Sequence, residues 1–155
     1  TNPATYIGGV VDNGPTPNSD IIALTGPASD QTLRFLSPVV DPVMAILSLG
    51  QAGVPVTYLF NTPITYLNDG TGYWGGATGA LTASGNTLTG EEGHGIIQFK
   101  GTFDSTTPIV WSISNPEFWH GFTVGIAAVP EPASLILLGA GLAGIGIWRR
   151  KAAKV

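Results

Sequence analysis

The sequence predicts an all-β fold: an antiparallel β-sandwich, jelly-roll-like or immunoglobulin-like, followed by one C-terminal hydrophobic α-helix. Three observations carry this expectation. The 155 residues include 22 glycines and 12 prolines alongside 43% hydrophobic residues, a composition suited to many tight turns around a real core. Short apolar–polar alternations recur through the first 128 residues between clusters of Gly, Pro, Asn and Asp, and no segment there repeats its apolar residues at helical spacing. Residues 133–148, by contrast, are sixteen positions without a charge, closed by Arg149, Arg150 and Lys151. The expected organisation is therefore a sandwich body over 1–128 and a tail over 129–155, with a helix at about 133–149.

Taken in order, residues 4–11 (ATYIGGVV) read as a first strand, and 13–20 as a turn-rich connection with two prolines. Strands follow over 20–25 and 31–36; in the second, Leu33 and Phe35 alternate with Thr32, Arg34 and Leu36, so one face is apolar and one wet. Residues 43–49 (VMAILSL) are apolar at nearly every position. Their length and the flanking Pro42 and Gly50 favour a strand buried on both faces over a short helix. Residues 54–60 alternate cleanly, with Pro55 marking a strand start or an edge. A short strand at 64–67 leads into a Gly-rich loop, NDGTGYWGGATG, over 68–79. Residues 80–83 and 87–90 suit a hairpin across Ser84-Gly85-Asn86. Strands at 95–103 (Ile97, Phe99 and Phe103 inward), around Ile109, Trp111 and Ile113, and around Phe122, Val124 and Ile126 complete the body. There is no Cys, so disulfides and thiolate chemistry are excluded and the core alone must hold the body.

Charge is divided sharply. All ten acids lie in residues 1–132, with Arg34 and Lys100 as the only bases there, a net charge of −8; the last 23 residues carry four bases and no acid. Such a body has no cations with which to displace counterions from a phosphate backbone, so nucleic acid is not an expected partner. The acids fall mostly in turns beside Asn, Gly or Pro, where Asp closes turns, and the acidic exterior leaves room only for loosely held Ca²⁺.

Three groups of residues are candidate sites. Glu91, Glu92 and His94 form the densest polar cluster; with His120 they are candidate metal ligands or acid–base groups if the strands bearing the two histidines are neighbours. Adjacent strand residues point to opposite faces, however, so Glu91 and Glu92 need not converge, and the ordinary reading is a solvated turn. Tyr73, Trp74 and Trp119, with Phe118 and Trp111 nearby in type, are candidate sugar-stacking or subunit-interface residues; Tyr73 and Trp74 sit in the Gly-rich loop, whereas Trp111 suits a core strand. No Gly-x-Ser-x-Gly, phosphate-binding loop, His-Glu-x-x-His or dinucleotide fingerprint is present, so the expected protein is not an enzyme and needs no cofactor.

The tail is the most specific feature. As a helix, its sixteen uncharged residues cover about 24 Å. Gly139 with Ala143, and Ala140 with Gly144, are small-xxx-small pairs that permit close helix packing. So many glycines cost too much in a water-exposed helix, so the helix needs lipid or copies of itself. Val129-Pro130-Glu131-Pro132, the apolar Gly-rich span and Arg149-Arg150-Lys151, in that order, resemble the PEP-CTERM sorting signal. The resemblance implies export from a Gram-negative bacterium that makes exopolysaccharide. It also implies transient residence in the inner membrane and processing by an exosortase that recognises Pro130, Glu131 and Pro132, with Arg149 and Arg150 setting topology. PVVDPVMAILSLGQAGVPVTYLF, GYWGG, GEEGHGIIQFKGTF and PEFWHGFTVG are similar to small exported proteins of that kind, which supplies no activity. Thr1, with no apolar segment before it, reads as the start of a mature chain.

The expectation placed first is a non-enzymatic structural subunit at the cell surface or in the extracellular matrix, self-associating into a filament or tube through the tail helix. Pairing through edge strands, or through the N-terminal strand from Thr5 to Val11, would add to the contact. The alternative is a carbohydrate-binding, lectin-like matrix protein that holds exopolysaccharide and uses the tail only as a sorting signal. Under the first, Gly144→Leu abolishes polymers by spoiling helix approach, as electron microscopy of the native material would show; polymers of unchanged geometry would sink it.

Overall fold

The run over 43–49 becomes a strand because it has apolar cover for every side chain. In the computed structural model, which describes residues 3–11, 21–26, 29–72 and 75–126, all eight residues of this strand, Pro42–Leu49, are buried. Twelve strands form among the described residues. They are β1 (Ile22–Gly26), β2 (Gln31–Leu33), β3 (Val39–Val40), β4 (Pro42–Leu49), β5 (Val56–Phe60) and β6 (Ile64–Asp69). There follow β7 (Leu81–Ser84), β8 (Thr87–Gly90), β9 (Gly93–Phe99), β10 (Thr102–Phe103), β11 (Ile109–Ile113) and β12 (Glu117–Ile126). Pro42 and Val56 begin their strands, with Pro55 left outside the ladder as its missing N–H requires.

The strands make two five-stranded antiparallel sheets, β1-β12-β4-β9-β6 and β2-β11-β5-β8-β7, and a small β3–β10 ribbon. The pairing is nested. β1 pairs β12, β2 pairs β11, β4 pairs β9 and β5 pairs β8, like one long hairpin folded over on itself. The β6 and β7 strands are inserted between β5 and β8, and each extends one sheet at its edge. The hairpin from β7 to β8 turns through Gly85 and Asn86, with Ser84 opposite Thr87; Gly85 at φ 61 supplies the positive φ such a two-residue turn demands.

The sheets face one another across an aromatic core. Phe60 meets Phe99 at 5.1 Å between ring centroids and Trp111 meets Phe122 at 5.3 Å, each pair joining one sheet to the other. Period-2 alternation supplies these residues: Val56, Tyr58 and Phe60 from β5, Ile109, Trp111 and Ile113 from β11, Ile97 and Phe99 from β9. Leu33 and Phe35 pack on the rim of this core, while Leu36 is exposed. A second, smaller cluster covers the outer face of β4 and β9: Tyr6, Ala45, Leu47 and Ile96, flanked by Val11, Ile21, Leu67 and Trp119. β4 and β9 therefore have no wet face, which is why both are buried throughout.

Two sequence expectations are corrected. The segment over 4–11 is not a strand. It is a 3-10 turn, Pro3–Tyr6, followed by a tight turn in which Gly8 and Val11 exchange both backbone hydrogen bonds. Gly9 at φ 59 cannot continue an extended chain, and Thr5 and Tyr6 are buried against the chain's own sheet, so this segment is not a free pairing edge. The continuous strand over 95–103 is broken instead at Gly101, whose N–H, like the Lys100 ammonium, is held by the Asp41 carboxylate. Those contacts, the Gly101 backbone hydrogen bond first, keep the Asp41 carboxyl below its ordinary pKa. The expected tail helix at about 133–149 lies outside the described residues.

Trp111 is 2% exposed and touches Tyr58, Phe60 and Phe122. Trp111→Ala is expected to destabilise the body by about 3–5 kcal/mol, read as a lowered urea midpoint at unchanged m-value.

Candidate functional site

At one end of the body two β-bulges lie side by side. On β4, three steps from Ile46 to Leu49 oppose two steps on β9, from Gly95 to Gly93. On β12, three steps from His120 back to Glu117 oppose two on β1, from Leu24 to Gly26. Gly121 of β12 pairs Leu47 of β4, so the extra residues are neighbours. A bulge adds one residue and re-aims the side chains beside it. Here it turns Ser48 out of the alternation and puts Glu117 on the same side of its strand as His120.

The consequences are specific. Ser48 at φ 55 and Glu92 at φ 56 are two of the three described non-glycine residues with positive φ, and the Ser48 hydroxyl donates to Glu92 Oε2 at 2.7 Å. Strain of this kind persists only where surrounding contacts hold it. The Ser48 N–H donates to His94 Nδ1 at 3.3 Å, so that nitrogen carries a lone pair and the Tyr6 hydroxyl, 2.9 Å away, donates to it as well. His94 is thus neutral and protonated on Nε2. Its full burial pushes the imidazole pKa down from 6.5 to about 4. Burial likewise raises the Tyr6 hydroxyl to about 12.

The Gly-rich loop closes over that ring. A Cβ on Gly72 would stand 2.2 Å from His94 ring atoms, and one on Gly76 would stand 2.3 Å from the Glu92 carbonyl oxygen. Side chains at either place would hold the loop off the histidine. The loop's ends are tied by Gly70 N–H to the His94 carbonyl at 3.1 Å and by Gly79 N–H to the Asp69 carboxylate.

Glu117, only 5% exposed, accepts from the Gly50 N–H at 3.1 Å and from His120 Nδ1 at 2.6 Å through one oxygen, Oε2. The His120 ring packs edge-on to Tyr58 at 5.5 Å. Burial first, and then the Glu117 charge, raises the Tyr58 pKa far above its ordinary value.

The proposed ligand group is not brought together. His94 shares its face of β9 with Ile96, in the outer cluster; His120 shares its face of β12 with Phe122, in the inner core. The two rings stand on opposite sides of one sheet, with β4 between their strands. Glu91 accepts from Gly53 N–H at 3.2 Å while Glu92 turns to Ser48. Among the described residues no group of three or more His, Asp or Glu is placed to hold a metal ion. Tyr73 and Trp74 lie outside the described residues, as do Pro130, Glu131, Pro132, Gly139, Ala140, Ala143, Gly144, Arg149 and Arg150.

What the geometry does assemble is a cleft of about 280 Å³ lined by Ser48, Gln51, Glu92, Glu117, Phe118 and Trp119. Phe118 is 91% exposed, and Trp119 packs partly on the outer cluster. Glu92 also lines a wider, shallower hollow of about 660 Å³ floored by glycines and by Ala77, Ala80, Thr82 and Thr89. The two adjoin at Glu92, which lines both. The body's two bases are elsewhere: Lys100 pairs Asp41 at 3.1 Å and Arg34 donates to the Ser105 carbonyl at 2.6 Å, both at the opposite end of the sheets. This end is accordingly electronegative. Glu117, Ser48 and Gln51 were not among the candidates in sequence. Each is placed by a bulge or the turn after it, and a one-residue insertion in a ladder leaves no mark in an apolar pattern.

Beyond the body, residues 128–151 match the PEP-CTERM protein-sorting motif. The tail is a PEP-CTERM signal. All five expected signal residues, Pro130, Glu131, Pro132, Arg149 and Arg150, fall inside the match. A PEP-CTERM signal marks an exported, cell-surface-directed chain that is sorted by an exosortase. No curated protein and no solved structure matches the chain. Among the described residues, no helix is long and apolar enough to cross a membrane.

The His94 pKa sets a pH dependence. A folded value of about 4 against 6.5 unfolded means the contribution is complete above 6.5 and is lost as pH falls toward 4. The loss amounts to up to about 3 kcal/mol. Urea unfolding followed across that window is expected to show the slope, and His94→Gln to flatten it; an equal slope in the variant would assign it to other groups.

Proposed function

We propose that the body is a non-enzymatic glycan-binding module, delivered to the cell surface by its sorting signal, where it holds exopolysaccharide of the matrix around a Gram-negative cell. The observation carrying this reading is the cleft at the double bulge. It combines two aromatic side chains, Phe118 and Trp119, with the carboxylates of Glu92 and Glu117, Ser48 and the Gln51 amide. An aromatic face packs on the C–H side of a pyranose ring while carboxylates and amides accept from its hydroxyls, so mixed linings of this type suit sugars. The neighbouring hollow, which shares Glu92 with the cleft, offers a polymer room to run on at that side.

The nested pairing β1/β12, β2/β11, β4/β9, β5/β8 supports assigning the body to the jelly-roll type rather than the immunoglobulin type. Fold type hosts many functions, so it lends the reading context and no more. The self-associating subunit remains a second reading. It is supported by the small-residue pairs Gly139/Ala143 and Ala140/Gly144 and no longer by an N-terminal pairing strand.

Phe118→Ala is the decisive variant, because an exposed ring removed from the rim leaves the core alone. Affinity electrophoresis through gels containing matrix polysaccharide is expected to show roughly fivefold weaker retention, about 1 kcal/mol, at unchanged Tm. Native protein that migrates identically with and without every glycan in the panel would refute the module.

A further inference from the structure

The cleft at the double bulge carries an unequal set of polar groups. Glu92 and Glu117 bring carboxylates, which only accept hydrogen bonds. The Ser48 hydroxyl already spends its proton on Glu92 Oε2. The Gln51 amide is the one remaining side-chain NH₂ group in the polar lining. Among the described residues, both bonds that hold Glu117, from the Gly50 N–H and from His120 Nδ1, end on Oε2. Its other oxygen, on a side chain just 2% exposed, is left as an acceptor in the floor of the cleft.

Charge runs the same way. Glu92 has a neutral partner in Ser48, and Glu91, on the adjoining hollow, has one in the Gly53 N–H. No Lys or Arg lines either space. A proton on His120 would offset Glu117 alone, so the lining is anionic in either state of that imidazole. On the rim stands Phe118, 91% exposed, and Trp119 completes the wall. The face of an aromatic ring attracts a cation through its quadrupole.

We propose that the glycan this cleft selects contains an amino sugar whose amine is free and protonated, with the ammonium directed to the Glu92 and Glu117 carboxylates and the sugar ring laid on Phe118. The assignment rests on the glycan-binding reading above and names the class of glycan. An ammonium supplies three donors and a positive charge to a lining short of both. An N-acetylated sugar offers one N–H and an acceptor carbonyl in its place. A uronic acid brings a further negative charge, which these carboxylates repel.

The test titrates the full chain, in a nonionic detergent free of sugar, with trimers of glucosamine, N-acetylglucosamine and galacturonic acid, and with trilysine. Calorimetry is run at physiological salt and at pH about 6.5, between the ordinary carboxylate and amine ranges. The glucosamine trimer is expected to bind at least about tenfold more tightly than the acetylated one, as one charge-assisted hydrogen bond implies. Glu92→Gln keeps an acceptor for Ser48 and is expected to erase that preference at unchanged Tm. Asp104→Asn removes the same charge beside Ser105, at the opposite end of the body, and is expected to retain it. Equal affinity for the two glucosamine trimers, tighter binding of galacturonate, or trilysine bound as well as the amino sugar would overturn the assignment and leave the glycan-binding reading standing. A preference that survives Glu92→Gln, or that Asp104→Asn loses equally, would trace it to the charge of the whole body and overturn the site. Silence toward every sugar would sink the module and the assignment together.

Discussion

A strand without a wet face dictates the plan of this molecule. β4 carries apolar or small residues at every position but one, so it can exist only as the middle of a sheet with cover on both sides. The second sheet covers one side, through Tyr58, Phe60 and Trp111 packed toward Met44, Ile46 and Leu49. The N-terminal turn covers the other, through Tyr6 over Ala45 and Leu47. Both β9 and β12 flank it, which brings the two elements bearing His94 and His120 to either side of one strand. Everything at the functional end is arranged around where β4 stops being regular.

That irregularity is Ser48. Bulging the strand there frees a hydroxyl, an N–H and a following turn to hold three groups at once: Glu92, His94 and, through Gly50, Glu117. Ser48, His94 and Glu117 are too buried for water to satisfy them otherwise, so the bulge is stabilised by the network and the network is assembled by the bulge. The neighbouring bulge on β12 matches it and turns Glu117 inward, leaving Phe118 outward. Aromatic and acidic side chains consequently share one rim while Arg34 and Lys100 stay at the opposite end.

Much of this plan was visible in the chain. Alternation located β5 and β11, and the structure puts one face of each, with Tyr58, Phe60, Trp111 and Ile113, in the core, because a half-buried strand has a strict period of two. The uninterrupted apolar run announced β4, and Ser-Gly-Asn announced the hairpin from β7 to β8. ATYIGGVV was misleading: its composition suits a strand, but Gly9 takes a positive φ and Tyr6 is drawn to a histidine 88 residues away. Glu92 was a candidate metal ligand in sequence, but the structure gives it Ser48 as partner instead of Glu91 or either histidine. Glycines 72 and 76 showed a loop, not that the loop must lie on an imidazole ring.

The sequence by itself determined what depends on neighbouring residues: the all-β class, the periodic core positions, and the PEP-CTERM signal, whose three parts are contiguous and are read as a linear address. Only the tertiary structure decided which polar residues meet. Glu92 and Glu117 are joined across a cleft, and His94 and His120 are parted by a sheet, because strand order and single-residue bulges set the face on which each side chain lies. Those are properties of pairing between distant segments, and local periodicity carries no record of them.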